Sequence, residues 1–229
     1  MSPTEAAAGP RLDRIETWVF DLDNTLYRVS ERMHAEIDRK IGAFLMEFLA
    51  VDAVEARRVQ KAYFAEYGLT MRGLMVRHGL DPQAFLDATG LPDLSDVALD
   101  EGLAHAIGRL PGRKIIYTNS HAVHAERVLE RIGMTDHFEV VHDIIAANYL
   151  PKPSAEAFAA ICTTCGFDPA RAAMFDDIIA NLKPAAALGM TTVWVKTDAA
   201  WARDMTPGPE VHYVVENLKA WIEAAVDGR

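Results

Sequence analysis

Short apolar runs recur along the chain, and each one stops abruptly at polar residues. The first, Thr17–Phe20, combines β-branched and aromatic residues and ends at Asp21, a pattern typical of a buried strand. Helical periodicity lies between the later runs, as at residues 124–132 and 155–165. The later runs cover residues 114–118, 139–145, 172–175, 191–195 and 211–215. Because strands and helices alternate, the pattern predicts an α/β fold with βαβ units on a parallel sheet.

One region interrupts this alternation. Between residues 28 and 92 the apolar positions repeat with helical spacing, and no clear strand run appears. A connection this long without structure of its own is implausible inside a compact domain. Two helix faces are predicted, one with Ile37, Ile41, Phe44, Leu45 and Phe48, the other with Val59, Tyr63 and Tyr67. We interpret residues 28–92 as an inserted helical cap on a core formed by residues 14–27 and 93–229, with a return hinge near residues 89–96.

Composition limits the class of partner. The 229 residues suit one large α/β domain with a modest insertion, and half of them are apolar, so a sizeable core can be buried. Lys and Arg number 23 against 33 Asp and Glu, which gives a formal charge of −10. This field opposes binding to polynucleotides and to anionic membranes. The charge therefore disfavours a nucleic acid or a membrane as partner and excludes no small-molecule chemistry.

The N-terminus and the cysteines bear on the compartment. Residues 1–13 are rich in Ala, Pro and Gly and are expected to be disordered. They do not resemble a secretory signal, and no apolar run approaches the roughly 20 residues of a membrane-spanning helix. Cys162 and Cys165 are too few for a disulfide framework, and we interpret them as neighbours on one packed helix face rather than as a zinc or redox pair. These features predict a cytoplasmic protein.

Two carboxylates follow the first predicted strand. Asp21 and Asp23 are two residues apart, so their side chains project to the same side while the chain stays extended. There the charges repel each other and lose solvation, which a cation or a shared proton relieves. Oxygen ligands of this kind suit Mg²⁺ better than zinc. An Asp-rich turn that merely ends a strand explains the pair equally well.

Polar residues at three further strand ends favour a functional site over an Asp-rich turn, because ligands of parallel sheets bind beyond the carboxyl ends of the strands. They offer hydroxyl and amide groups for phosphate oxygens, a lysine stiffened by a proline on each side, and a second acidic pair. In chain order these residues are Thr118, Asn119, Ser120, Lys152, Asp176 and Asp177. Such a combination is too coordinated for turn chemistry, and it predicts a functional site at this edge.

Four segments in this order resemble the four motifs of the haloacid dehalogenase-like hydrolase superfamily: DLDNT (21–25), TNS (118–120), PKP (151–153) and DDIIAN (176–181). The resemblance covers almost the whole chain from Thr17 onward. It implies a Rossmann-like parallel sheet core with an inserted helical cap. Three longer segments, FDLDNTLY, TNSHAVHAERVLERIGM and YGLTMRGLMVRHGLDP, resemble the pyrimidine 5′-nucleotidase-like branch of this superfamily.

The resemblance implies catalytic roles for the motif residues. Asp21 is the implied nucleophile, which attacks phosphorus to form an aspartyl-phosphate. Asp23 is implied to protonate the leaving oxygen and then to activate water. Thr118 and the Asn119 amide are implied to bind the transferring phosphoryl group, while Lys152 neutralises its charge.

The resemblance also implies Mg²⁺ as the cofactor. Its implied ligands are Asp21, the backbone carbonyl of Asp23, and Asp177, with Asp176 close by. Ile178 departs from the family pattern, which often has a serine at this position. Because a hydroxyl that commonly supports the metal ligands is missing, we expect metal affinity to be weaker than usual.

Further polar residues are candidates for contacts with the substrate. Ser120 extends the predicted phosphate-binding loop, and His121 follows it. Tyr27 follows the first motif, directly before the predicted cap, where it either gates the site or packs at the hinge. Arg72, in the cap, either meets a phosphate or a nucleobase or stays solvated. His124 is expected to position the loop or to lie at the surface.

Together these assignments predict a Mg²⁺-dependent phosphomonoester hydrolase, most specifically a pyrimidine nucleoside 5′-monophosphate phosphatase. We expect a small phosphorylated metabolite as its partner and a monomer or a homodimer as its state. The alternatives are a phosphatase of a sugar phosphate, phosphoglycolate or a cofactor phosphate, a phosphomutase, and a metal-free 2-haloacid dehalogenase. Asp23 argues against the dehalogenase, because cleavage of a carbon–halogen bond needs no acid for an oxygen leaving group.

Overall fold

The computed structural model describes residues 12–199, 202 and 205–228. The strands in these residues are β1 Thr17–Phe20, β2 Arg113–Tyr117, β3 Val140–His142, β4 Ala172–Asp176, β5 Thr191–Val195 and β6 Tyr213–Val215. They form one sheet in the order β3-β2-β1-β4-β5-β6, and every neighbouring pair is parallel. The predicted parallel α/β fold is confirmed, with β1 in the interior of the sheet.

The helices divide into a cap group and a core group. Those between β1 and β2, within the predicted insertion, are α1 Glu31–Leu49, α2 Ala53–Tyr67, α3 Thr70–His78 and α4 Pro82–Thr89, followed by α5 Glu101–Arg109 of the core. The remaining core helices are α6 Ala122–Ile132, α7 Ala155–Cys165, α8 Ile179–Ala187 and α9 Leu218–Asp227. The structure therefore has an inserted helical cap on a Rossmann-like core, as predicted.

Side chains that alternate along the strands fill two apolar layers. Trp18, Phe20 and Phe175 pack with α5, α6 and α9, whereas Val19 and Met174 pack with α7 and α8. Every residue of β1 is buried, which explains its continuous apolar run in the middle of a parallel sheet. The polar residues that follow β1 therefore lie at a sheltered edge between β2 and β4.

The cap has a separate apolar core. Leu45, Val59, Leu74 and Phe85 are among its buried members, and Ile144, from the loop after β3, packs with them. Because this core-domain residue completes the apolar cluster of the cap, the cap is packed onto the core in addition to being joined to it by two hinge segments.

Local capping explains where the cap helices begin and end. Ser30 accepts a hydrogen bond from the N–H of Met33 at the start of α1, and Asp52 caps α2 in the same way. Gly68 ends α2 in the left-handed region, with φ 78°. A Cβ atom at Gly68 would lie 2.8 Å from the carbonyl oxygen of Lys152. A side chain therefore has no room at this junction between cap and core.

Two predicted strands are shorter in the structure, and one of them is β6, where the run at residues 211–215 forms a strand over Tyr213–Val215 only. Helix α7 has the bounds predicted for it, but the run at residues 139–145 forms a strand of three residues only, β3. The carboxylate of Asp143 accepts hydrogen bonds of 2.8 Å from the N–H groups of Ala122 and Ala146, so the chain turns there. Ile144 then leaves the sheet for the cap, which the apolar pattern alone does not reveal.

The described residues also bear on the chain ends and the cysteines. Residues 1–11 of the predicted disordered segment lie outside the described part, and Leu12–Arg14 forms a 3-10 helix. Cys162 and Cys165 are free thiols that pack against the apolar layer beside α7. Among the helices that the structure describes, none is both long enough and apolar enough to cross a membrane.

Candidate active site

Three aspartates meet where β1 and β4 end side by side. The N–H of Asp21 donates a hydrogen bond of 2.8 Å to the carbonyl of Phe175, so the strand pairing continues one residue beyond β1. Asp21, Asp176 and Asp177 each offer a carboxylate oxygen within 4.8 Å of the others. Their exposed fractions are 6%, 0% and 2%. Carboxylates this close and this deeply buried require positive charge nearby.

Lys152 supplies one positive charge. Its Nζ lies 2.6 Å from Oδ1 of Asp21 and 2.8 Å from Oδ2 of Asp176. Burial alone would lower the pKa of Lys152, but the charges of Asp176 and Asp21 raise it above its usual value, so the ammonium group stays charged. The ring of Tyr117 also faces this group, with its centroid 5.3 Å from Nζ.

The loop after β2 fixes the position of Lys152. Nδ2 of Asn119 donates to the carbonyl of Lys152 at 3.1 Å, and Oδ1 of Asn119 accepts from the N–H of Lys152 at 2.8 Å. Thr118 is buried, and its hydroxyl accepts the N–H of Ser120 at 3.0 Å. Since the side chain of Asn119 is bonded at both ends, its backbone N–H is the group that suits the predicted phosphoryl contact.

One lysine does not balance three carboxylates. Burial, with the charges of Asp176 and Asp23, raises the pKa of Asp21 to about 7 in spite of Lys152. Burial and the charges of Asp21 and Asp176 raise the pKa of Asp177 to about 9. Within the described residues, Oδ2 of Asp177 is buried without a hydrogen-bond partner. The oxygen donors and this unpartnered atom fit a divalent cation, which would relieve both carboxylates.

Asp176 is placed differently from its two neighbours. Its oxygens accept hydrogen bonds from Lys152, from the N–H of Ile178 at 2.8 Å, and from Nδ2 of Asn181 at 2.9 and 3.1 Å. These bonds already occupy both oxygens of Asp176. The arrangement fits a supporting position beside a metal ion, and it leaves Asp21 and Asp177 as the less occupied carboxylates.

Asp23 lies in a separate set of hydrogen bonds. Its Oδ1 accepts from the hydroxyl of Tyr27 at 2.5 Å and lies 3.2 Å from Nε2 of His124, while its Oδ2 accepts from the hydroxyl of Ser120 at 2.7 Å. Burial alone would raise the pKa of Asp23, but the interactions with His124, Tyr27 and Ser120 outweigh it and lower that pKa to about 2. Asp23 is therefore ionised at neutral pH in the protein without substrate.

His124 was expected to position the loop or to lie at the surface, and the second alternative is wrong. The residue is 5% exposed and lies in the first turn of α6, where it reaches the Asp23 carboxylate. Its contact with Asp23 is missed by sequence reasoning. A histidine six residues after Thr118, in the helix that starts at the sheet edge, is the signal that could have indicated it. His121 caps α6, because its Nδ1 accepts the N–H of Val123.

The remaining predicted residues divide between core and cap. Ser120 and Tyr27 lie at the site, but their hydroxyls are bonded to Asp23. Arg72 is half-buried on α3, and in the described part of the chain its side chain has no hydrogen bond or ion pair. Arg77, also on α3, bonds to Tyr67 and Glu66 on the cap surface. The structure thus brings the core residues together, and contacts to a substrate remain predictions for Arg72, Ser120 and Tyr27.

Comparison with known proteins identifies the class of this protein. The family model of the haloacid dehalogenase-like hydrolases matches residues 15–189, which include the cap and all four motifs. The chain therefore belongs to the haloacid dehalogenase-like hydrolase family. A curated relative, phosphate metabolism protein 8 of Saccharomyces cerevisiae, is 28% identical over an alignment of 192 residues that covers 76% of this chain. The match covers 60% of the relative, so the chain spans less than two thirds of its length.

Solved structures of two kinds of enzyme share the fold. The HAD phosphatase from Thermococcus onnurineus has a TM-score of 0.61 at 18% identity, over 93% of this chain and 98% of that one. The L-2-haloacid dehalogenase from Xanthobacter autotrophicus, with chloropropionic acid covalently bound, has a TM-score of 0.57 at 16% identity, over 92% and 98%. At these identities the likeness concerns the fold, so the choice of reaction depends on the residues of the site.

Proposed function

We propose that this hydrolase is a Mg²⁺-dependent phosphomonoesterase that works through an aspartyl-phosphate on Asp21. The observation that carries the proposal is the presence of two differently held carboxylates. Asp21 is buried against Lys152, with a further contact of 3.3 Å from the hydroxyl of Thr25 to its Oδ2. Asp23 lies apart from the acidic cluster in its own hydrogen bonds. One carboxylate suits the nucleophile, and the other suits the acid and base.

In the first step, a carboxylate oxygen of Asp21 attacks phosphorus while the bond from phosphorus to the leaving oxygen breaks. Lys152, 2.6 Å from Asp21, favours the ionised form of this carboxylate and offsets the charge of the phosphoryl oxygens. Mg²⁺, held by Asp21 and Asp177, would supply the rest of the positive charge that the carboxylates and the phosphoryl group need. Thr118 and the N–H of Asn119 are proposed to bind the phosphoryl oxygens.

Asp23 is proposed to move the proton in both steps. It is ionised in the free protein, so it must take up a proton when the negatively charged ester binds nearby, because a like charge favours the protonated carboxyl. Asp23 gives this proton to the leaving oxygen, and as a carboxylate it then accepts one from water. The water oxygen attacks phosphorus, which releases phosphate and restores the carboxylate of Asp21.

The proposed substrate is a pyrimidine nucleoside 5′-monophosphate. Support comes from the branch-like segments around Asp21, after Thr118 and in the cap, and the name of the yeast relative concerns phosphate metabolism. The net charge of −10 disfavours a polynucleotide, whereas a single phosphate group is recognised locally by Lys152 and loop amides. We propose a cytoplasmic monomer or homodimer that acts on a small phosphorylated metabolite.

A phosphate-release screen over phosphorylated metabolites, run in Mg²⁺ and in EDTA, tests this function. We expect release in Mg²⁺, loss of release in EDTA, and the highest kcat/KM with pyrimidine monophosphates. Asp21→Asn should abolish turnover, and Asp136→Asn, at an exposed position, serves as the matched control. If sugar phosphates rank as high, the nucleotide assignment is wrong. Chloride release from 2-chloropropionate that survives EDTA would instead show a dehalogenase.

A further inference from the structure

Asp23 is surrounded by donors from three separate elements. Tyr27 follows the first motif on the way to the cap, Ser120 follows β2, and His124 belongs to the first turn of α6. Their polar atoms lie 2.5 to 3.2 Å from the Asp23 carboxylate. A turn that only ended a strand would not need partners that are 97 and 101 residues away, as Ser120 and His124 are. The convergence therefore indicates that the orientation of this carboxylate matters.

We propose that His124 and Tyr27 are positioning residues, which hold the carboxylate of Asp23 so that Oδ2 is the oxygen that exchanges the proton with the reacting groups. The proposal rests on the phosphomonoesterase function above. It assigns a task to a buried histidine and to a tyrosine hydroxyl that are outside the acidic cluster.

The positions of the hydrogens follow from the distances. Tyr27 has one hydroxyl hydrogen, and the 2.5 Å contact assigns it to Oδ1 of Asp23. Nε2 of His124 lies 3.2 Å from Oδ1 and 3.3 Å from the Tyr27 oxygen. Because an ionised carboxylate only accepts, this nitrogen carries a hydrogen. Nδ1 of His124 is buried without a partner in the described part of the chain, so within these residues the ring makes its polar contacts through Nε2.

Counting acceptor sites then distinguishes the two oxygens of Asp23. Each carboxylate oxygen has two lone pairs in the plane. Oδ1 faces both Tyr27 and His124, whereas within the described residues Oδ2 has one partner, Ser120. The remaining acceptor site of Asp23 is therefore on Oδ2. When Oδ2–H gives its proton to the leaving oxygen, the electron pair of the broken P–O bond forms the new O–H bond, and Oδ1 of the resulting carboxylate is already stabilised.

This role predicts an effect that depends on the leaving group. An alkoxide, as from a nucleoside monophosphate, needs a proton as it leaves, whereas the phenolate of p-nitrophenyl phosphate leaves well without one. Loss of His124 or of the Tyr27 hydroxyl should therefore slow alkyl esters selectively. A residue that only maintained the fold would affect both substrates alike, since both use Asp21 and Lys152.

The experiment measures kcat/KM of the full chain in Mg²⁺ for p-nitrophenyl phosphate and for the best alkyl phosphate of the screen. For His124→Leu and Tyr27→Phe we expect a loss of about 10- to 100-fold with the alkyl ester and at most about threefold with the aryl ester. His124→Gln, which keeps a side-chain N–H donor, should recover much of the loss. The matched control is His105→Gln on the exposed side of α5, which should match wild type.

Each outcome has one meaning. Equal losses for both esters in Tyr27→Phe would overturn the positioning role. Unchanged rates in all three variants, Tyr27→Phe, His124→Gln and His124→Leu, would overturn it as well. Tyr27→Phe removes a single oxygen atom, so it keeps the test valid if His124→Leu fails to fold by circular dichroism. A wild-type protein that releases phosphate from neither ester would instead overturn the proposed function on which this inference rests.

Discussion

The strand-end site and the surface of the cap hold charged side chains in opposite ways. In the site, Asp21, Asp176 and Lys152 are at most 6% exposed and are bonded to one another. In the cap, Arg77 and Glu66 pair at 2.9 Å while their side chains stay 54% and 52% exposed. Buried charges are costly unless each has a fixed partner, whereas solvent tolerates many arrangements at the surface. The site therefore holds its charged side chains in one arrangement, whereas the surface of the cap tolerates several arrangements.

The largest effect is expected for Lys152→Met. It leaves Asp21 and Asp176 buried without their shared partner, so unfolding free energy should fall by about 3–5 kcal/mol, as when one partner of a buried ion pair is removed. Phosphate release should also fall by a factor of at least about 10³, because the charge that acts on the phosphoryl group is lost. Denaturant unfolding and the phosphate assay measure the two effects.

Arg77→Met is the matched change in the cap. The partner that it leaves, Glu66, remains in water, so the expected loss of stability is much smaller than for Lys152→Met. A loss for Arg77→Met that equals the loss for Lys152→Met would remove the contrast between the two regions.

The second effect concerns pH and metal. The ordinary pKa of an Asp is 3.8, and those of Asp21 and Asp177 are raised to about 7 and about 9 in the folded protein. Between these values and pH 3.8 the folded state holds protons that the unfolded chain has lost, so these groups lower stability as pH rises. Thermal unfolding in EDTA should show this decline, and Mg²⁺ should raise Tm more at about pH 8 than at about pH 5.

Asp177→Asn isolates this contribution, because it removes the group with the higher pKa. The variant should lose stability less steeply with pH than wild type and should respond weakly to Mg²⁺. Asp136→Asn, with the same charge change at an exposed position, should keep the wild-type slope. If Mg²⁺ raises Tm of Asp177→Asn as much as that of wild type at both pH values, the acidic cluster is not the metal site.

The remaining effect is expected where the two regions meet. Gly68→Ala and Gly79→Ala both place a Cβ in the left-handed region, at φ 78° and 66°, which costs about 1–2 kcal/mol. Only at Gly68 would this Cβ meet the carbonyl of Lys152, at 2.8 Å, whereas at Gly79 nothing lies within 4 Å. Gly68→Ala alone should therefore also lower kcat. Equal kcat values for the two variants would show that the cap does not affect Lys152.

Much of the core was predictable, because its signals are local. Buried strands have continuous apolar runs, and polar residues that end parallel strands share one edge, so the sequence predicts that Asp21 and Asp176 lie together. The bounds of α7 also followed from helical periodicity. The family motifs added the roles, which the pattern by itself left open between a turn and a site.

What escaped prediction depends on contacts between distant residues. His124 was expected at the surface or in a loop-positioning role. It contacts the Asp23 carboxylate only because α6 begins at the edge of the sheet. The early end of β3 depends on Asp143, whose partner Ala122 is 21 residues away. The periodicity of apolar positions along the chain does not indicate such contacts.

The most direct test of the central claim is a search for the phosphoryl group on Asp21. The wild-type protein is mixed with its best phosphomonoester in Mg²⁺, quenched in acid, digested and analysed by mass spectrometry. We predict one phosphoryl group on the peptide that contains Asp21, removable by hydroxylamine and missing in Asp21→Asn. Steady phosphate release without a modified Asp21, or turnover by Asp21→Asn at the wild-type rate, would contradict the account.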